Sequence, residues 1–194
     1  MNAMNPSLQD SGTGRSPAEV KILEAVQGAI ATPPVISAAR GMSHFGEHAL
    51  GWVGIAAVGA LVDKPRRRQW AGVAVGAVGA HAASIVIKRI VRRPRPNAPS
   101  VQVNVSTPSK LSFPSSHATS TTAAAVLLGK LTGLPLPAVL VPPMLLSRVV
   151  LGVHYPSDVL AGSALGAASA AALLAAEKRL DSDRTRRKGA ARHE

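Results

Sequence analysis

Five stretches without a single formal charge punctuate this chain: Ala49 to Val62, Trp70 to Ile87, Ala118 to Gly129, Leu131 to Ser147 and Val159 to Ala176. The first extends backward through residues 41–48 if Glu47 sits at an interface. A membrane-crossing helix takes about 20 apolar residues, so several stretches are short and would also fit buried helices of a soluble protein. Five of them in 194 residues, separated by basic or Pro-rich connectors, fit an all-α integral-membrane bundle of about five spans better. Their composition agrees. The chain is 46% hydrophobic but only 3% aromatic, and its apolar material is Ala, Val, Leu and Gly. Soluble cores lean on large aromatic rings, whereas small residues suit helices packed backbone to backbone in lipid. Gly72 with Gly76, and Gly162 with Gly166, have the four-residue spacing of tight helix crossings.

Ahead of the first stretch, Ser16, Pro17 and Glu19 form a helix-start signature. Val20, Ile22, Leu23, Val26 and Ile30 then recur at helical spacing, which predicts an N-terminal amphipathic helix ended by Pro33-Pro34. Such a helix suits a membrane surface or a partner, including a second copy of the chain. Residues 1–15 read as a disordered N-terminus, 16–177 as the membrane domain and 178–194 as a charged, solvated tail. The net charge of +12 sits between apolar runs rather than along one helix face, which argues against nucleic acid and for basic loops beside lipid headgroups. Without cysteine, disulfides and thiolate metal sites are excluded.

Three connector segments carry unusual chemistry. After the second stretch come Lys88 and, seven positions on, Arg95-Pro96. The third opens with Pro114-Ser115-Ser116-His117. The fourth ends in Ser147-Arg148, followed by His154 and Asp158. With one span between each pair, all three segments reach the same side of a membrane. Three cations there make an anion site, with the Arg side chains matched to phosphate oxygens. Two histidines supply a nucleophile and an acid, and Asp158 can hold one nitrogen of His154 so that the other presents its lone pair. Charged side chains at membrane depth are costly, which marks them as functional.

The order K-x6-RP, then PSxH, then SR-x5-H-x3-D resembles the type 2 phosphatidic acid phosphatase superfamily. The match runs from Lys88 to Asp158, with Ser116 standing where the motif has glycine. That resemblance implies a metal-independent, cofactor-free lipid phosphate phosphatase. His154 would attack phosphorus to form a phosphohistidine, and His117 would protonate the leaving alcohol. Lys88, Arg95, Ser115, Ser116 and Arg148 would bind the phosphoryl oxygens. A phosphotransferase or a soluble acid phosphatase of the same superfamily, or a basic membrane scaffold without catalysis, are the alternatives. An Ala/Gly-lined bundle that admits a long chain favours a polyprenyl-linked substrate, and the compact Ala/Arg-rich chain is similar to actinobacterial members of that superfamily.

Other residues read more blandly. His44, Glu47 and His48 match the H-x-x-E-H order of a zinc protease motif, but Gly46 weakens a helix there and no third ligand follows, so the segment is expected at the mouth of the phosphate site. His81 is expected to be a buried, hydrogen-bonded histidine. Arg89, Arg92 and Arg93 are expected to be solvated or to meet headgroups. Twelve basic residues on the tail side, against seven non-catalytic ones on the site's side, put the tail in the cytoplasm and the site outside.

Overall fold

The computed structural model describes residues 16–190. Seven α-helices follow one another: α1 (Pro17–Ile30), α2 (Pro33–Gly46), α3 (Leu50–Val62), α4 (Arg67–Val91), α5 (Ser116–Thr132), α6 (Leu136–Val150) and α7 (Pro156–Ala190). Single 3-10 turns lead into α3 and α4. The bundle is built around α5, which touches α3, α4, α6 and α7.

Three segments are long and apolar enough to cross a membrane: Pro33–Val62, Lys64–Val91 and Pro156–Asp183. Their outward faces are apolar, with Val62 77% and Ile90 73% exposed, a surface suited to lipid rather than water. The two remaining stretches differ from the expected spans. Helix α5 has 17 residues and α6 has 15, or about 26 and 22 Å at 1.5 Å per residue. Helix α5 is rich in Ser and Thr because it is walled in by protein, with Ser116 and Ala118 to Ala125 buried without a break. Helix α6 runs through Pro142-Pro143.

The small-residue spacing on α7 has a clear cause. A Cβ at Gly162 would lie 2.6 Å from the Ser115 carbonyl oxygen, and one at Gly166 would strike that of Thr119. Only glycine lets α7 lie this close to α5, next to the turn that carries His117.

One expectation needs correction. Pro33-Pro34 ends α1 but also opens α2, where both prolines occupy the first turn and need no backbone N–H. Helix α7 continues beyond Glu177 to Ala190, so the described part of the expected charged tail is helical. The expected disorder of 1–15 lies outside the described residues. Helix α1 packs on its own bundle, with Leu23 buried against Val149, Tyr155 and Val159.

Candidate active site

The ends of α4 and α6 and the starts of α5 and α7 meet at one end of the bundle, as the spacing predicted. Their side chains line a cavity of about 540 Å³. Of the expected residues, Lys88, Arg95, Ser116, His117, Arg148 and His154 line it. Asp158 stands behind His154, and Ser115 serves as the N-cap of α5, fully buried, its Oγ accepting from Ala118 N–H at 3.4 Å. Ser115 therefore shapes the helix start rather than facing the cavity.

His154 sits in the five-residue turn between α6 and α7. Gly152 adopts φ +69° there, with its α-carbon against the Gln102 carbonyl, where no side chain fits. The His154 Nδ1 lies 3.5 Å from Asp158 Oδ2, an ion-pair separation rather than a hydrogen bond. Its Nε2 lies 3.2 Å from Arg95 Nη1. Because the guanidinium only donates, Nε2 is the nitrogen with the lone pair, and Nδ1 carries the proton toward Asp158. Burial, then the cations of Arg95, Arg148 and Lys88, hold His154 well below the usual histidine range, so its free base persists at neutral pH.

The cations are fixed by backbone carbonyls. Lys88 Nζ donates to the carbonyls of Ser112 (3.0 Å) and Pro114 (2.6 Å), the latter beside the cis Phe113–Pro114 bond. Arg95 donates to Ser109 O at 2.8 Å and Val153 O at 2.7 Å. Burial lowers the Arg95 guanidinium to about 10, which leaves it charged at neutral pH. Arg148 is 1% exposed, and its Nε and Nη1 have no hydrogen-bond partner among the described residues. A buried guanidinium with open donors on a cavity wall calls for an anion.

His117 Nε2 lies 2.9 Å from the Ser43 carbonyl, which can only accept, so Nε2–H is the donor and Nδ1 is left for proton transfer. Gly46 packs on the same ring; a Cβ there would come 2.7 Å from His117 Cδ2. Helix α2 thus sets the orientation of the His117 ring. Ser116, in place of the motif glycine, is accommodated by Ser84 of α4, whose Oγ lies 2.7 Å from Ser116 Oγ and 2.6 Å from the His81 carbonyl.

The sequence reading missed a network behind Asp158. Arg93 is not solvated: its Nη1 donates to Asp158 Oδ1 at 2.8 Å and Ser157 Oγ at 2.6 Å, and its Nη2 to Glu19 Oε2 at 2.5 Å. Its guanidinium also lies 4.1 Å from the centre of the Tyr155 ring. Burial opposes its charge, but Glu19 and Asp158 raise its pKa. Asp158 Oδ2 accepts from Tyr155 N–H at 2.8 Å, a capping contact at the start of α7. Glu19 makes no capping box with Ser16; its Oε1 accepts from Ser157 N–H at 2.9 Å. Burial would raise its pKa, yet Ser157 and Arg93 together hold it below the ordinary carboxylate value. The R-P-R-P run was the only available signal, because a long-range partner leaves no local periodicity.

His44, Glu47, His48 and His81 line the outer part of the same cavity, at the expected mouth. His44 Nδ1 and Glu47 Oε2 are 4.0 Å apart, and no three His, Cys, Asp or Glu side chains among the described residues gather as metal ligands. The expected hydrogen bond of His81 is not made by its buried Nδ1, which has no partner among the described residues.

Comparison with known proteins shows the family and the fold. Residues 69–181 match the PAP2 superfamily. A decaprenylphosphoryl-5-phosphoribose phosphatase of Mycobacterium tuberculosis is 60% identical over 150 residues, covering 77% of this chain and 85% of that protein. The Mycolicibacterium smegmatis protein of that description is 63% identical over 145 residues, 74% of this chain and 81% of its own. Two crystal structures share the fold. One is a transmembrane PAP2 type phosphatidylglycerolphosphate phosphatase from Bacillus subtilis, with TM-score 0.66 and 23% identity, covering 85% of this chain and 89% of that one. The other is Aquifex aeolicus LpxE, with TM-score 0.68 and 17% identity, covering 83% and 97%.

Proposed function

This chain belongs to the PAP2 superfamily and is a membrane lipid phosphatase, and we propose that it removes the terminal phosphate of a polyprenyl-linked sugar phosphate through a phosphohistidine on His154. The observation that carries the chemistry is the buried Arg148 guanidinium with open donors, held in one cavity with Lys88, Arg95, His117 and His154. The polyprenyl-linked phosphoribose named for relatives of about 60% identity supports the choice of substrate.

In the first step the lone pair of His154 Nε2 forms a bond to phosphorus while the ester P–O bond breaks. His117, whose doubly protonated form is favoured once a phosphate dianion is bound beside it, gives its Nδ1 proton to the leaving alkoxide. In the second step Nδ1 takes a proton from water, whose oxygen attacks phosphorus. The N–P bond then breaks, its electron pair returns to Nε2, and inorganic phosphate departs. Lys88, Arg95 and Arg148 stabilise the negative charge that spreads over the phosphoryl oxygens, in a low-dielectric site where fixed donors act strongly. Asp158, itself neutralised by Arg93, stabilises His154 as it gains positive character. These three cations can supply the charge that a metal would otherwise provide, so neither metal nor cofactor is required.

We place this site on the extracytoplasmic face, because the excess of basic residues lies at the opposite end of the bundle. The test is phosphate release by detergent-purified protein from a panel of polyprenyl, sugar-linked and glycerolipid phosphates, with EDTA throughout. Release by the unaltered protein and its loss in His154→Ala is the expected result. Equal release by the variant, or none from any lipid, contradicts the proposal.

A further inference from the structure

The phosphate-binding residues fill only the inner part of the cavity. Its outer part is walled by His44 and Glu47–His48 where α2 ends, by His81 of α4, and by Thr107 and Ser109 of the connector before α5. Ile85, Val105, Pro108 and Leu111 line the same cavity, so an apolar chain has a place there, while the imidazoles and the carboxylate call for hydrogen-bonding partners of their own.

His117 ties this wall to the phosphate site. His117, the acid, is fixed to the wall through the Ser43 carbonyl at 2.9 Å and through Gly46 on its ring. These contacts hold the Nε2–Cδ2 edge of the ring, so that Nδ1, on the opposite edge, is turned away from Ser43 and Gly46. The wall is also held in an unfavourable backbone shape. His48 and Ala49 are consecutive non-glycine residues at φ 50° and 62°, a left-handed conformation that L side chains adopt at a cost and that clusters at functional sites. This turn brings His48 within 5.8 Å of the His81 ring, centre to centre. The ring of His81 is placed inside a membrane-spanning helix, its Nδ1 lacks a partner among the described residues, and the phosphoryl chemistry does not use it. An ionisable side chain at that depth without a structural bond is a candidate for ligand recognition.

We propose that Glu47, His48 and His81, with His44 at the edge, form a subsite for the hydroxyl groups of a sugar. The subsite selects a phosphomonoester carried on a polyol over one carried directly on a prenyl or acylglycerol alcohol. Glu47 can accept from two neighbouring hydroxyls, and each imidazole can donate with one nitrogen and accept with the other. The inference rests on the phosphatase reading above and deepens it by assigning the specificity to residues outside the shared motif.

The decisive variant is His48→Gly. Glycine is at ease in the left-handed region, so this change removes the imidazole while relieving the backbone. Glu47→Gln and His81→Gln accompany it. Each purified full-length variant is assayed on a polyprenylphosphoryl-5-phosphoribose and on a polyprenyl monophosphate. The ratio of kcat/KM for the two substrates is the readout, and thermal unfolding is followed in parallel. The expected result for His48→Gly is a selectivity ratio lowered roughly tenfold, the scale of one hydrogen bond lost, with Tm unchanged or raised. Equal loss on both substrates, an unchanged ratio, or a loss that tracks a lower Tm in all three variants overturns the subsite. Unaltered protein that releases phosphate from neither substrate defeats the phosphatase reading instead, and the subsite with it.

Discussion

The inner and outer halves of the cavity are built on opposite principles. In the inner half, Lys88, Arg148 and His117 stand at helix ends, Arg95 in the connector after α4 and His154 in the short turn between α6 and α7, and backbone carbonyls hold Lys88, Arg95 and His117 in place. In the outer half, His48 and Ala49 depart from favourable backbone geometry, and His81 Nδ1 lacks a partner among the described residues. An inner half held largely by backbone carbonyls, with Arg148 donors left open among the described residues, suits the phosphoryl group common to every substrate. The strained, incompletely bonded outer half suits discrimination among leaving groups. Gly46 joins the two, because it lies on His117 and ends the helix that leads to His48.

Substitutions should separate the halves by size of effect. Arg148→Ala removes a buried guanidinium whose Nε and Nη1 lack partners among the described residues, and kcat should fall by about 10²–10³, the usual loss for one transition-state donor. Steady-state kinetics on any accepted lipid phosphate checks this, and a change confined to KM would contradict it. Arg93→Gln leaves Asp158 without its cation. It should lower kcat by roughly 10- to 100-fold with little change in KM, because Arg93 acts through Asp158 and touches no substrate. Glu19→Gln keeps the acceptor oxygen and should cost much less. Gly46→Ala tests the junction. Its Cβ would displace the His117 ring, and kcat should fall by about tenfold on sugar-linked and simple substrates alike, unlike the selective loss expected for His48→Gly.

The smallest effect concerns pH and stability. His154 is neutral in the fold with its pKa depressed, so below the unfolded-state value near 6.5 the unfolded chain binds the extra proton and stability falls as the pH drops. Glu19, also depressed, adds stability that is present above about 4.5 and is lost as the pH falls below it. Thermal unfolding between pH 7.5 and 5 should show a decline that is shallower in His154→Ala. An equal slope in both proteins would contradict the buried neutral state.

The inner half was legible in the sequence because its residues recur at fixed spacings around helix ends, and alternate spans bring those ends together. The amphipathic α1 and the shared site of Lys88, His117 and His154 followed from that pattern. What stayed hidden depends on partners distant in the chain. Glu19 looked like a local cap for Ser16, yet it bonds Ser157 and Arg93, more than 70 positions away. Arg93 looked like one more basic loop residue. Helix α2 was obscured because Pro33-Pro34 reads equally as an end and as a beginning. Ser116 gained its meaning only from Ser84, which no motif connects to it. Local pattern reports helix ends and faces, whereas the identity of a packed neighbour is a property of the fold.

The central claim is that His154 carries the phosphoryl group between the two steps. Unaltered protein and His154→Ala, each mixed with a lipid substrate labelled in its terminal phosphate and quenched within one turnover, test it directly. Label on His154 itself, stable in base and released in acid, with none on the variant, is the predicted result. Phosphate release at the normal rate without label on His154, or undiminished turnover by the variant, would contradict it.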